Sequence, residues 1–439
     1  MSVHEIAKMI DHTVLHGILL CLCLNCQAQP KTDSLLQELL YSQSNPILQN
    51  VINHKDSFRL QIIYTQINRD KHNKSSFENY YFNTDTNLYF NPASTVKLPL
   101  ALLALEKLNT LNIRGADKYA PLQIDSNYQW QTSVYTDSTA QNGLPSLAHY
   151  IKKAFLVSDN DAYNRLYQFV GQQSINRGLH VKGYPCIRIT RQFLGLTLDE
   201  NRHTNGLHIL HPDGRSMYDQ PSAYNPDPFY FEKEIKIGHA YFNSHDSLIH
   251  EPIDFTRVNN LPLEDLQQLL KAVMFPESLP PTQRFKLSKD DYRFLYQYLS
   301  QYPSETNYPK YDTAEYYDSY VKFFFRSDNH RMPPFVRVFN KVGWAYGFLI
   351  DASYVADFMN DVEYMLSAVV YVNSDGILND DRYEYEETGW PFMYQLGQTI
   401  YQYELARPRT YKPNLKRFKI QYERRDAKDT RPTIKNVDN

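Results

Sequence analysis

The chain has 439 residues, 42% of them hydrophobic, and a formal net charge of −3. That length and apolar content support one large domain, or two closely packed lobes, around a real core. The near-neutral charge argues against general nucleic-acid binding.

Elements follow in chain order. Val14 to Leu24 is apolar, with Lys8 before it and Ala28 as a cleavage position, so residues 1–28 read as an export signal. The run is too short for a membrane span. It predicts a secreted or periplasmic protein, with lipid attachment at Cys23 or Cys26 as the alternative. The mature chain then keeps Cys186 alone, expected as a core thiol with no internal disulfide.

Ser34 to Tyr41 reads as a first helix. Phe58 to Ile67 alternates as a strand does, with Tyr80 to Phe90 as its partner. Asn91-Pro92 breaks that strand. A helix pattern opens at Ser94, with Leu98, Leu102, Leu105 and Leu108 apolar at three- and four-residue steps. Pro99 predicts an early kink. Residues 100–190 read as mostly helical. Residues 200–335 read as a surface enlargement that includes a helix from Pro262 to Val273. Two strand-like runs, Ala352 to Phe358 and Tyr364 to Val372, precede a helix from Phe392 to Leu405. The tail, residues 406–439, has eleven Lys/Arg against four Asp/Glu and reads as a solvated basic extension. Attraction to anionic envelope polymers is its alternative reading.

The chemistry-bearing motifs are Ser94-Thr95-Val96-Lys97, Ser158-Asp159-Asn160 and Lys341-Val342-Gly343. A serine and a lysine at i and i+3 share one helix face. A desolvated lysine there can lose its proton and take one from the serine, making an alcohol a nucleophile. Each motif also has a decoy: Ser319-Tyr320-Val321-Lys322, Ser327-Asp328-Asn329 and Lys236-Ile237-Gly238. Order and context discriminate. Ser158 follows Ser94 by 64 residues, room for a helical lobe, whereas Ser327 precedes Lys341 by only 14. Ser319 runs into Phe323-Phe324-Phe325, a strand-like or buried segment, and Lys236 lacks the strands that follow Lys341.

In this order the three motifs resemble those of the penicillin-recognising serine enzymes, the class A β-lactamases and D,D-peptidases. The resemblance implies an α+β fold: an antiparallel sheet flanked by helices, a helical lobe bearing Ser158, and a large insertion before the K-x-G strand. The hydrolase domain would span residues 29–405. Ser94 would be the nucleophile, Lys97 the base, and Ser158 with Lys341 the proton relay. Asn160, Gly343 and Trp344 would bind the substrate, Asn160 by its side-chain amide and Trp344 by an N–H that joins that of Ser94 in the oxyanion hole, and Lys341 would supply positive charge for a substrate carboxylate. Asp159 is expected to cap the following turn.

Two departures stand out. Val342 replaces a hydroxyl residue that binds the substrate carboxylate in the family. Phe193 falls where class A enzymes carry the glutamate that activates the deacylating water, with Glu200 the nearest substitute. The expected activity is therefore acylation at Ser94 by β-lactams or related amides, with slow β-lactam hydrolysis. The alternatives are a cell-wall D,D-peptidase, an esterase, or a non-catalytic binder of wall peptides. No cofactor is expected. The histidines at 203, 208, 211, 239, 245 and 250 match no strong zinc spacing, so no metal is expected either.

Overall fold

The computed structural model describes residues 30–437; the expected export signal lies outside them. Among the described residues no helix is long and apolar enough to cross a membrane. Helices α1 (Ser34–Tyr41) and α2 (Pro46–Asn53) lead into strands β1 (Gln61–Arg69) and β2 (Ser75–Phe82). Helices α3 (Lys97–Leu111), α4 (Leu147–Leu156), α5 (Asn160–Val170) and α6 (Gln172–Val181) form a lobe. Helices α7 (Leu263–Met274) and α8 (Lys289–Ser300) follow, then β3 (Val336–Ala345), β4 (Phe348–Asp357), β5 (Val362–Tyr371) and α9 (Trp390–Ala406). The five strands make one antiparallel sheet in the order β3-β4-β5-β1-β2. This is the expected α+β architecture.

Side chains on a strand alternate between faces, and here each face has its own core. On β4, Ile350, Ala352, Tyr354 and Ala356 pack toward the lobe and α7. Leu349 and Val355 pack on the other side, against α1, α2 and α9. The same alternation on β3 sends Val342 into the second core and leaves Lys341 and Gly343 for the lobe side. Each fully buried aliphatic side chain contributes about 1.5–3 kcal/mol, so β4 and β5, buried along their whole length, form a stiff base for the edge strand β3.

Several expectations need correction. Pro99 is the third residue of α3, where its missing N–H costs no intrahelical bond, and the helix runs unbroken to Leu111. The span between α3 and α4 is mostly irregular rather than helical. The strand paired with β1 ends at Phe82, because Asn83 takes a positive φ of 51° and its Nδ2 donates to the Leu60 carbonyl. The segment 200–335 is not merely surface: α7 packs on β4 and β5, α8 packs on β3, and Phe323–Phe325 packs on α9. Nor is the tail a solvated extension. Leu415 and Phe418 are buried, Lys152 holds Glu423 at 2.8 Å, and the Ile434 N–H donates to the Lys310 carbonyl. Cys186 is disulfide-bonded rather than a free core thiol.

Candidate active site

Ser94 lies in a short 3-10 turn, Ala93–Val96, that feeds directly into α3. The turn puts Lys97 beneath the serine: Lys97 Nζ is 2.6 Å from Ser94 Oγ. Ser94 is half-buried, while Lys97 is fully buried. Lys97 Nζ also reaches Asn160 Oδ1 at 2.7 Å, Ser158 Oγ at 3.3 Å and the Ser158 carbonyl. Two of these, the Ser158 carbonyl and Asn160 Oδ1, can only accept. A neutral amine has two N–H groups and one lone pair. In its neutral form Lys97 would give both N–H groups to those acceptors and turn its lone pair to the Ser94 hydroxyl.

Ser158 joins the two lysines. Its Oγ lies 2.8 Å from Lys341 Nζ, which also reaches the Val342 carbonyl at 2.8 Å. Ser158 takes φ = 65°, a region costly for a non-glycine residue. Its neighbours hold it there. Asp159 caps α5 by accepting the Ala162 N–H at 2.7 Å, and Lys153 pairs with Asp159 at 3.3 Å. Lys153 carries no motif, so nothing in the sequence marked it as a support of this loop. Burial disfavours its charge, but Asp159 and Asp137 outweigh that and raise its pKa. Lys341 is the opposite case. Burial, then the nearby Lys97, push its pKa well below the usual lysine range.

The edge strand β3 closes the site. A Cβ on Gly343 would stand 2.7 Å from the Pro92 carbonyl oxygen and 3.0 Å from the Ser94 nitrogen, so only glycine allows this approach. Tyr346 and Gly347, at φ 52° and 82°, form the two-residue β3–β4 loop. In such a hairpin the closing pair Ala345/Phe348 is hydrogen-bonded, and so is Gly343/Ile350. Val342 and Trp344 therefore direct their N–H and C=O groups off the free edge, as the Val342 carbonyl's contact with Lys341 Nζ requires. The Trp344 indole packs edge-on against Tyr320 and Phe323.

Phe193 lies with its ring centroid 5.0 Å from Lys97 Nζ and stacks on Tyr163 at 4.4 Å. The side chain that meets Lys97 from this loop is thus a ring with no proton acceptor. Glu200 caps a turn: its Oε2 accepts the Thr197 N–H at 2.7 Å. The decoys lie elsewhere. Ser319 and Lys322 are entombed on the far side of β3, Ser327 to Asn329 form a surface turn, and Lys236 pairs with Glu234. Among the described residues no group of three or more His, Cys, Asp or Glu is placed to hold a metal; His208 is engaged by Asp125 and Asp219.

Residues 45–215 match the sequence profile of the Beta-lactamase enzyme family. The matched segment contains Ser94, Lys97, Ser158 and Asn160 but ends before Lys341, and over it the chain is similar to the β-lactamase-like serine hydrolases. No curated protein matches the chain. Similar solved structures include a β-lactamase from Xanthomonas campestris (14% identity, TM-score 0.44, 80% of this chain and 95% of that one). Others are a β-lactamase from Streptosporangium roseum (14%, 0.43, 81% and 97%) and a class A β-lactamase from Clostridium kluyveri (13%, 0.43, 81% and 97%).

Proposed function

We propose that this protein is a serine hydrolase acylated at Ser94 by β-lactams or related amides, and that it releases the acyl group slowly. The observation that carries the reading is the meeting of Ser94, Lys97, Ser158, Asn160 and Lys341 through one set of hydrogen bonds. Lys97 takes the Ser94 proton as Oγ attacks the acyl carbon. The C–O bond forms, and the developing oxyanion is met by the Ser94 and Trp344 N–H groups. The C–N bond then breaks, and the proton reaches the leaving nitrogen through Ser158, with Lys341 recharging it. Asn160, already oriented by Lys97, offers its amide to the substrate side chain.

Release needs a water deprotonated by a nearby base. Phe193 supplies none, and the Glu200 carboxylate is committed to Thr197. Acylation and deacylation should therefore separate as a burst followed by slow turnover. Intact-mass spectrometry after mixing with a penicillin should show one lasting adduct, and stopped-flow hydrolysis of a chromogenic cephalosporin should show the burst. Fast steady turnover without an adduct would overturn slow release; no adduct and no turnover would overturn β-lactam acylation and favour the D,D-peptidase or esterase reading. The reading extends to export into the envelope, where wall peptides are at hand; cell fractionation tests it.

A further inference from the structure

Behind the loop that carries Phe193 lies a second cavity, of about 320 Å³, lined by none of the motif residues. Its wall brings Arg202 and Arg257 together with Phe229, Phe231, Thr190 and Gln172, and no carboxylate faces into it. Each charge acts on an acid close by, Arg202 on Asp227 and Arg257 on Asp254, but neither guanidinium donates a hydrogen bond to a carboxylate among the described residues. Arg202 uses only Nη1, on the Asn225 and Asp227 carbonyls at 2.7 and 2.8 Å. Arg257 makes no side-chain hydrogen bond to the described residues and borders the Phe231 ring at 6.0 Å. The hydrogen bonds of the acids that act on them go to other groups: Asp227 accepts from Arg177 and Gln173, and Asp254 from Thr256. A third cation, Arg188, lies over Phe231 at 5.2 Å, and its buried Nε has no partner.

Arginine forks with unspent N–H groups match the oxygens of a carboxylate or phosphate. Phenylalanine rings beside them offer a face or edge to a flat apolar group. The volume is at the small end for ligand sites, which limits the guest to about one ring. We propose that this cavity binds an anion carrying a single aromatic ring, through Arg202 and Arg257 on its acidic group and Phe229 and Phe231 on its ring. The site is separate from Ser94 and does not depend on the acylation reading.

The test is isothermal titration of the full chain with phenyl phosphate and, separately, inorganic phosphate. Phenyl phosphate should bind about tenfold or more tighter than inorganic phosphate. Loss of one charged hydrogen-bond donor typically costs about tenfold or more, so Arg257→Gln should weaken phenyl phosphate by that factor. Arg257 is exposed and holds no hydrogen bond to the rest of the fold, so this variant should fold normally. Arg202→Gln added to it should remove binding. Ser94→Ala should leave the affinity unchanged. No heat with the native protein, an unaltered affinity in Arg257→Gln, or loss of binding in Ser94→Ala would each overturn the site. Equal affinity for the two phosphates would overturn the aromatic part.

Discussion

Ser94-Thr95-Val96-Lys97 and Ser319-Tyr320-Val321-Lys322 spell the same pattern in one chain, and the structure puts them on opposite faces of one strand. Lys97 works on the lobe side of β3, where Ser158 and Lys341 meet it. Lys322 works on the other side, with Nζ 2.6 Å from Asn340 Oδ1 and 2.7 Å from the Leu299 carbonyl. Asn340 and Lys341 are consecutive, so the pleat alone separates the two environments. The local turns are alike: the Lys322 N–H donates to the Ser319 carbonyl at 3.0 Å. What differs is the third party. Lys97 finds a hydroxyl, an amide oxygen and a half-open serine. Lys322 finds Asn340, which donates in turn to Asp351 at 2.9 Å, and a serine sealed from solvent.

The largest difference should appear in acylation. Ser94→Ala should abolish covalent labelling by β-lactams, while Ser319→Ala should label as the native protein does. Peptide mapping of the adduct decides it; labelling at Ser319 would reverse the assignment of the two motifs.

Stability should show the reverse asymmetry. Burial holds the Lys322 ammonium below its usual pKa range and the Asp351 carboxyl above its own. The two still compensate one another through Asn340. Lys322→Met would leave Asp351 buried without that cation, a change that typically costs about 3–5 kcal/mol. Urea unfolding should show the loss, and the surviving folded fraction should still be acylated at Ser94. An unchanged midpoint would mean that Lys322 and Asp351 do not stabilise one another.

Lys97→Ala should slow acylation by about 10² or more, the usual worth of general-base assistance. The readout is the burst rate with a chromogenic cephalosporin. Equal burst rates in the two proteins would leave Lys97 a structural residue and remove the chemical distinction between the two motifs.

The contrast also explains what could be read from the sequence. Regular periodicity was informative: the helix from Ser34 to Tyr41 matches its expected bounds, and β4, β5 and α9 lie within a few residues of theirs. Motif order pointed to the S-x-x-K that reaches Ser158 and Lys341. Other features depend on distant contacts. Nothing local in Leu266, Leu270 or Val273 says that α7 covers the sheet rather than the surface, and nothing in Lys152 says that it will hold Glu423 from the tail. Two further helices carry local signals of their own: Asn45-Pro46, a cap and a first-turn proline at the start of α2, and the Ser288/Asp291 capping box at the start of α8.

The smallest effect belongs to the decoy serine itself. Ser319 is fully buried, and its Oγ has no hydrogen-bond partner among the described residues. A buried hydroxyl without a partner has lost its water and gained nothing in exchange. Lys322 does not bond it, because its Nζ turns to Leu299 and Asn340. Ser319→Ala removes one oxygen from a closed site and leaves a space smaller than a methyl group. The two contributions oppose one another, the relieved desolvation stabilising and the small void destabilising, and the former should be slightly larger. Thermal unfolding should therefore stay level or rise, by about 0–1 kcal/mol. A clear drop would mean that the hydroxyl does have a partner, with Lys322 the first to examine, and the two S-x-x-K motifs would then be closer in chemistry than their hydrogen bonds indicate.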